Sequence, residues 1–173
     1  IKAHVTNYRS IEDSSEFEIA DLTCLVGKNE AGKTGILSAL RGVHPFESFV
    51  YDKIKDYPRR HLSKYEERHK STGEKSMVAK CWWKLEETDI QEVINIFGPN
   101  CINSDIFTTD NGFGYGNLVW DFKIDDSACL EYLIQMHGLE DLEKNALKVA
   151  NDCPSAVTAI KALPQKSEKL AAL

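Results

Sequence analysis

The sequence predicts an α/β fold in which a buried strand leads through a glycine-bearing loop into a helix, within a mixed sheet that also holds antiparallel strands. Residues 22–26 form a short apolar run rich in strand-forming residues, and Gly27 ends it. Residues 33–41 then carry apolar side chains at positions that suit a buried helix, while Gly42 and Pro45 predict its end. The order of strand, loop and helix indicates the fold class.

The first half of the chain divides into two predicted segments. Residues 1–52 hold the strand–loop–helix unit, and strands at residues 2–6 and 16–19 precede it. The second of these strands alternates polar and apolar side chains, so one of its faces is expected in solvent. Residues 53–75 change character, because eight Lys or Arg residues against four acidic ones give this stretch a charge of +4. We interpret it as a basic insertion.

The second half of the chain also divides into two predicted segments. Residues 76–125 are expected to add antiparallel strands to the same lobe at their two ends, 76–85 and 118–124, with a short helix between them. Residues 126–173 are expected to form a helical C-terminal segment that is broken near Gly138 and Pro154.

The charge balance and the cysteines limit the class of protein. The chain has 173 residues with 21 basic and 27 acidic side chains, and its net charge of −6 argues against a general coat for nucleic acid. No stretch is apolar for long enough to cross a bilayer, and the first residues lack the pattern of a signal peptide. The five cysteines have no CxxC spacing, so we expect reduced thiols in a cytoplasmic protein, without a metal site built from side chains alone.

One stretch carries a specific signal for phosphate chemistry. Residues 27–34 match the pattern GxxxxGK(S/T), the P-loop, in full. The match occupies the predicted loop and the start of the predicted helix, which is the context that the pattern requires. Its members are Gly27, Lys28, Asn29, Glu30, Ala31, Gly32, Lys33 and Thr34. The motif predicts binding of a nucleoside triphosphate, for which we expect ATP with Mg²⁺ as the cofactors.

Each fixed position of the motif answers a physical need of a bound triphosphate. Gly27 and Gly32 permit backbone dihedrals that a Cβ would forbid, so successive N–H groups can surround phosphate oxygens. The N-terminus of the following helix adds its dipole. Lys33 is a compact charge for the β- and γ-phosphates and is the predicted catalytic residue, while the Thr34 hydroxyl suits Mg²⁺. Gly35 completes the predicted nucleotide-binding set.

A wider pattern resembles the amino terminus of an ABC-type ATPase head of the SMC/RecF/OLD class, where OLD denotes the overcoming-lysogenization-defect nucleases. The sequences NYRSI at residues 7–11, LTCLVGKNEAGKT at residues 22–34 and LSAL at residues 37–40 carry the resemblance. It is strong over residues 1–43 and absent beyond residue 126.

The resemblance implies more than the motif does. The fold would be the N-terminal lobe of an ABC ATPase head, and two heads would enclose two ATP molecules between them. Arg9 and Ser10 would lie beside the nucleotide, and Asn29 would face the partner head. The implied partners are the remainder of the chain's own head and a second copy of it, in a homodimer. The implied role is ATP-driven head dimerisation in DNA repair, DNA processing or phage defence.

Three motifs of such heads are missing from the sequence. It has no Walker B strand ending in Asp-Glu, no signature near LSGGQ and no switch histidine. Residues 118–121 resemble a Walker B strand only superficially, because Phe122 stands where the catalytic glutamate would be. We therefore expect an N-terminal portion of a longer protein, with little ATP hydrolysis by this portion alone.

Two other functions are compatible with the motif. A complete small P-loop kinase fits the length, although two strands precede the P-loop strand and no acceptor-site aspartate is evident. A non-catalytic interaction module would keep the P-loop as a structural element. The basic insertion adds DNA as a candidate partner, since cations suit phosphates, although its interspersed acidic residues also suit a solvated surface. The residues concerned are Arg59, Arg60 and Lys64.

Overall fold

The computed structural model describes residues 1–28, 32–44, 49–136, 138–150 and 152–163. Its contacts divide the chain into two compact units. The first unit comprises Ile1–Lys84 and Ile106–Phe122, and the second comprises Leu85–Asp105 and Lys123–Leu173. The short helix that the sequence places between the strands of residues 76–125 belongs by its contacts to the second unit.

In its described part, the first unit is built on a sheet of six strands. The strands are β1 (Lys2–Tyr8), β2 (Ile11–Asp13), β3 (Phe17–Glu18), β4 (Ser76–Lys84), β5 (Ile106–Phe113) and β6 (Val119–Asp121). Their order is β2-β1-β4-β5-β6, with β3 also paired to β1, and every described pair is antiparallel. The mixed α/β character and the strands expected at residues 2–6, 16–19, 76–85 and 118–124 are confirmed, with small differences at their ends.

The predicted buried strand at residues 22–26 is wrong in this structure. None of the described strands pairs with this segment, and Leu22 and Val26 are 90% and 88% exposed. The Ala20 N–H instead donates to the Thr23 hydroxyl at 2.9 Å in a local turn. An extended apolar segment becomes a strand only where a neighbouring backbone takes its hydrogen bonds. The parallel pairing that a mixed sheet needs is therefore not found among the described residues.

Among the residues that the structure describes, three helices and one short 3₁₀ turn accompany the sheet in the first unit. They are α1 (Lys33–Leu40), the 3₁₀ turn (Arg41–Val43), α2 (Lys53–Asp56) and α3 (Arg59–Thr72). The helix predicted over residues 33–41 is confirmed as α1. Gly42 does not cap it as predicted but lies inside the 3₁₀ turn. The Tyr51 hydroxyl donates to the Ala39 carbonyl near the end of α1 at 2.6 Å.

The stretch interpreted as a basic insertion is anchored by buried aromatic rings. Tyr57 and Tyr65 are stacked with ring centroids 4.6 Å apart, and Tyr57 packs edge-on against Phe113 of β5 at 5.1 Å. Both tyrosines are less than 5% exposed. Such packing contributes free energy beyond the burial of apolar area. The charged residues of α2 and α3 therefore lie on elements that belong to the core of the first unit.

The second unit is helical. It contains α4 (Glu87–Phe97), α5 (Asp126–Met136), α6 (Asp141–Val149) and α7 (Cys153–Lys161). Leu130, Leu139 and Leu147 form its buried apolar centre together with Ala156. Among the helices of the described residues, none has the length and apolarity that crossing a membrane requires.

The ends of these helices follow local sequence signals. The break expected near Gly138 is confirmed between α5 and α6. The break expected near Pro154 is also confirmed, because α6 ends at Val149 and α7 begins at Cys153. Pro154 itself lies in the first turn of α7, where proline is tolerated because its missing N–H would have no partner there. Asp152 caps this helix by accepting from the Ser155 N–H at 2.7 Å. The helical tail predicted beyond residue 163 lies outside the described residues.

The cysteines provide a test of these packing assignments. All five are free; Cys24 is exposed, Cys153 is intermediate, and Cys81, Cys101 and Cys129 are buried. Burial raises the pKa of the Cys81 and Cys129 thiols to about 11. Near pH 7 a rise of that size lowers the thiolate fraction about 100-fold against an ordinary thiol. A disulfide reagent is expected to label Cys24 first and these two thiols far more slowly.

The measurement is labelling in native buffer followed by labelling in denaturant. Cys24→Ser should abolish the fast phase, and denaturation should expose all remaining thiols. Equally fast labelling of Cys81 and Cys24 in the native chain would contradict the burial of β4.

Candidate functional site

The P-loop (residues 27–34) connects the exposed segment 22–26 to α1. Gly27 and Lys28 are exposed at its start, and Lys33 begins the helix. Three predicted nucleotide-binding residues lie outside the described residues, and their roles stay predictions. They are Asn29, Glu30 and Ala31.

Gly32 adopts a conformation that disfavours other residues. Its φ is 88° and its ψ is 4°, in the left-handed region, at the N-cap of α1. Its carbonyl accepts from the Ile36 N–H at 2.9 Å and so begins the helical hydrogen bonds. A Cβ at this position would also approach Ile11 Cγ1 to 3.3 Å. The chain therefore turns into α1 at the residue where the motif requires glycine.

The Lys33 side chain closes the loop on itself. Its Nζ donates to the Gly27 carbonyl at 2.7 Å and to the Lys28 carbonyl at 2.6 Å. An ammonium group has three donors, and no other described residue takes the third. The positive charge of Lys33 is thus held by the Gly27 and Lys28 carbonyl oxygens, from which an anionic oxygen can draw it.

The start of α1 fits a phosphate for two further reasons. Its first turn contains no acidic residue, so no like charge opposes an anion at the positive end of the helix dipole. Thr34 is exposed in this turn, which leaves its hydroxyl accessible as an oxygen ligand for Mg²⁺. The donor set therefore suits the phosphates of ATP with Mg²⁺.

The turn predicted to lie beside the nucleotide does lie against the P-loop. Arg9 and Ser10 form the two-residue turn of the β1–β2 hairpin. The Ser10 hydroxyl oxygen is 3.6 Å from the position that a Cβ on Gly32 would occupy. Ile11 packs 3.2 Å from the equivalent point of Gly35, which is half-buried in α1. The hairpin turn and the helix start thus form one local surface.

Sequence reasoning missed the partner of Arg9. The Arg9 Nε donates to Asp56 Oδ1 at 3.0 Å, and the Arg9 N–H donates to the Asp56 carbonyl at 2.6 Å. Burial raises the pKa of the adjacent Tyr8 hydroxyl, and the Asp56 carboxylate raises it further. The two partners are 47 residues apart in sequence, so no local spacing could have identified the pair.

The predicted DNA-contacting residues lie along α3. Arg59 and Lys64 are exposed. Arg60 forms an ion pair with Glu12 of β2, and His61 lies 3.5 Å from the same carboxylate. The neighbouring acid offsets the charge of Arg60, whereas Arg59 and Lys64 form no ion pair with the described residues.

A cavity of about 730 Å³ lies elsewhere, within the second unit. Its walls come mainly from apolar side chains of α4, α5 and α7, such as Ile96, Leu133 and Val157. None of the residues that line it belongs to the predicted phosphate site. Its size therefore does not bear on nucleotide chemistry.

Comparison with known proteins adds one finding. A family model described as an AAA ATPase domain matches residues 1–44, about a quarter of the chain. These residues contain β1, the Arg9–Ser10 turn, the P-loop and α1. No curated protein and no solved structure matches the chain. The match supports an ATP-binding ATPase of the P-loop NTPase type, without distinguishing a class within it.

Proposed function

We propose that this chain is the ATP-binding portion of an ABC/SMC-like ATPase head of the SMC/RecF/OLD class. The observation that carries the proposal is the Lys33 ammonium, held by the Gly27 and Lys28 carbonyls at the start of a helix whose N-cap is a left-handed Gly32. The hairpin turn that the resemblance assigns to the nucleotide lies against this helix start.

In the proposed site each group has one task. Lys33 would exchange its carbonyl partners for the β- and γ-phosphate oxygens, and the Thr34 hydroxyl would hold Mg²⁺. Bound Mg²⁺ would offset the negative charge of those phosphates. Arg9 and Ser10 contact the phosphates from the hairpin side. Activation of the attacking water belongs to regions outside this chain.

Exposed apolar residues near the P-loop support the proposal that another segment of the protein covers this surface. Leu22 and Val26 precede the P-loop, and Leu37 of α1 is 63% exposed. Exposed apolar side chains next to a binding loop are typical of surfaces that another segment covers. We assign this role to the remainder of the ATPase head.

The proposed output is ATP-driven association of two heads in DNA repair, DNA processing or phage defence. The protein expressed from its complete reading frame is expected to double its mass in light scattering when ATP and Mg²⁺ are added. Lys33→Ala should keep the mass of the ATP-free form.

Two results, one from light scattering and one from a phosphoryl-transfer assay, would favour another function. A mass that does not respond to ATP, in a protein that binds ATP, indicates a non-catalytic module. Transfer of the γ-phosphoryl group to a small acceptor by the 173-residue chain indicates a kinase.

A further inference from the structure

We propose that Asp56 is a positioning residue, which holds the Arg9 guanidinium in the orientation that contacts the nucleotide phosphates. The proposal rests on the proposed function and names a residue that neither the P-loop motif nor the family match contains. Asp56 lies at the end of α2, outside the matched residues 1–44.

Asp56 accepts two hydrogen bonds from Arg9. One involves the backbone, where the Arg9 N–H donates to the Asp56 carbonyl at 2.6 Å. The other involves the side chain, where the Arg9 Nε donates to Asp56 Oδ1 at 3.0 Å. Together these contacts fix both the position of the hairpin turn and the direction of the guanidinium plane.

The anchor is itself held in place. Asp56 is only 8% exposed, and its second carboxylate oxygen accepts from the Asp52 N–H at 3.2 Å. Asp52 in turn caps α2 by accepting from the Ile54 N–H at 2.9 Å. A buried carboxylate with both oxygens bonded has little freedom to rotate, so it can define the orientation of a partner.

Arg9 has a backbone conformation that needs such support. Its φ is 53°, in the left-handed region that few residues other than glycine adopt. Local strain of this kind persists where surrounding contacts over-determine it, and it clusters at ligand sites. The Arg9 side chain is half exposed, so a phosphate oxygen can reach the guanidinium from solvent while the buried Asp56 carboxylate holds its Nε.

The free end of Arg9 is suited to phosphate. Asp56 engages Nε, and no described residue accepts a hydrogen bond from either terminal nitrogen. The guanidinium carbon of Arg9 is 5.1 Å from the centre of the Tyr8 ring, so the ring covers one face of the guanidinium group. The adjacent Ser10 hydroxyl borders Gly32 at the start of α1. A guanidinium fixed through Nε can present its remaining N–H fork to two phosphate oxygens.

A double-mutant cycle on ATP–Mg²⁺ affinity tests this proposal in the 173-residue chain. Arg9→Ala is expected to weaken binding about tenfold, the loss of one charge-assisted hydrogen-bonded contact. Asp56→Ala should weaken binding about fivefold when Arg9 is present, and less than about twofold in the Arg9→Ala background. Asp56→Asn keeps an oxygen for Nε and should bind ATP within about twofold of the parent chain.

The matched control removes a pair of the same geometry away from the site. Arg68 Nε lies 2.9 Å from Glu74 at the end of α3, and Glu74→Ala should leave ATP affinity unchanged. Equal losses from Asp56→Ala with and without Arg9 would overturn the proposal, because a purely structural role gives that pattern. If Asp56→Ala does not fold, the Arg9→Lys variant provides the test, because lysine lacks the terminal N–H fork of the guanidinium. An ATP affinity of Arg9→Lys equal to that of the parent chain would overturn the proposal.

The experiment distinguishes failure of the positioning role of Asp56 from failure of the proposed function. Loss of ATP binding in Lys33→Ala with no effect of the Arg9 and Asp56 changes overturns the positioning role alone. Unchanged binding in Lys33→Ala overturns the proposed function.

Discussion

Lys33→Ala is expected to weaken ATP–Mg²⁺ binding by about 30- to 100-fold, the loss of a charged donor to two phosphates. The variant removes the Lys33 ammonium group, whose Nζ lies 2.7 Å from the Gly27 carbonyl oxygen and 2.6 Å from that of Lys28. Backbone N–H groups and the helix dipole remain, so residual binding is expected. Isothermal titration of ATP with Mg²⁺ measures the difference.

The control variants separate loss of the site from loss of the fold. Lys70→Ala removes an exposed lysine from α3 and should leave the affinity for ATP unchanged. The free energy of unfolding of Lys33→Ala should fall by at most about 1 kcal/mol, because its hydrogen bonds are exposed to water. Equal ATP affinity of the parent chain and Lys33→Ala would rule out phosphate binding by the P-loop.

Gly112→Ala is expected to lower the free energy of unfolding by about 3 kcal/mol or more, since overpacked backbone cannot relax as a flexible side chain can. Gly112 of β5 pairs with Met77 beside the irregularity in β4 between Met77 and Ala79. A Cβ on Gly112 would overlap the Ser76 carbonyl oxygen and lie 2.8 Å from the Met77 Cα. Urea denaturation followed by tryptophan fluorescence measures the change.

A second glycine supplies the matched control for this stability prediction. Gly116 lies in the connection between β5 and β6, and a Cβ there would meet no atom within 4 Å. Gly116→Ala should therefore change the free energy of unfolding by no more than about 0.5 kcal/mol. Similar stabilities for the two alanine variants would show that β4 and β5 do not approach each other as described.

The elements that could be predicted from sequence are those whose signal is local. The spacing of apolar residues in α1 and the alternation of residues 16–19 around β3 follow from the geometry of a helix and a strand. The P-loop pattern located Gly32 and Lys33 because its chemistry depends on a few consecutive residues. Each of these patterns depends only on residues that are close in sequence, and none requires a contact with a distant residue.

The features that could not be predicted depend on what another part of the chain does. Residues 22–26 have the composition of a buried strand, but composition does not say which backbone pairs with them. The charge of residues 53–75 indicated a solvated insertion, while the stacked Tyr57 and Tyr65 anchor that stretch to the sheet. The Arg9–Asp56 pair joins residues 47 positions apart. Only tertiary contacts reveal these relationships.

The most direct test of phosphate binding by the P-loop is a crystal structure of the chain grown with ATP and Mg²⁺. The expected result is a triphosphate inside residues 27–34, with Lys33 Nζ moved from the Gly27 and Lys28 carbonyls to phosphate oxygens and Thr34 Oγ1 on Mg²⁺. The contradicting result is a nucleotide bound elsewhere, with Lys33 still bonded to those two carbonyls.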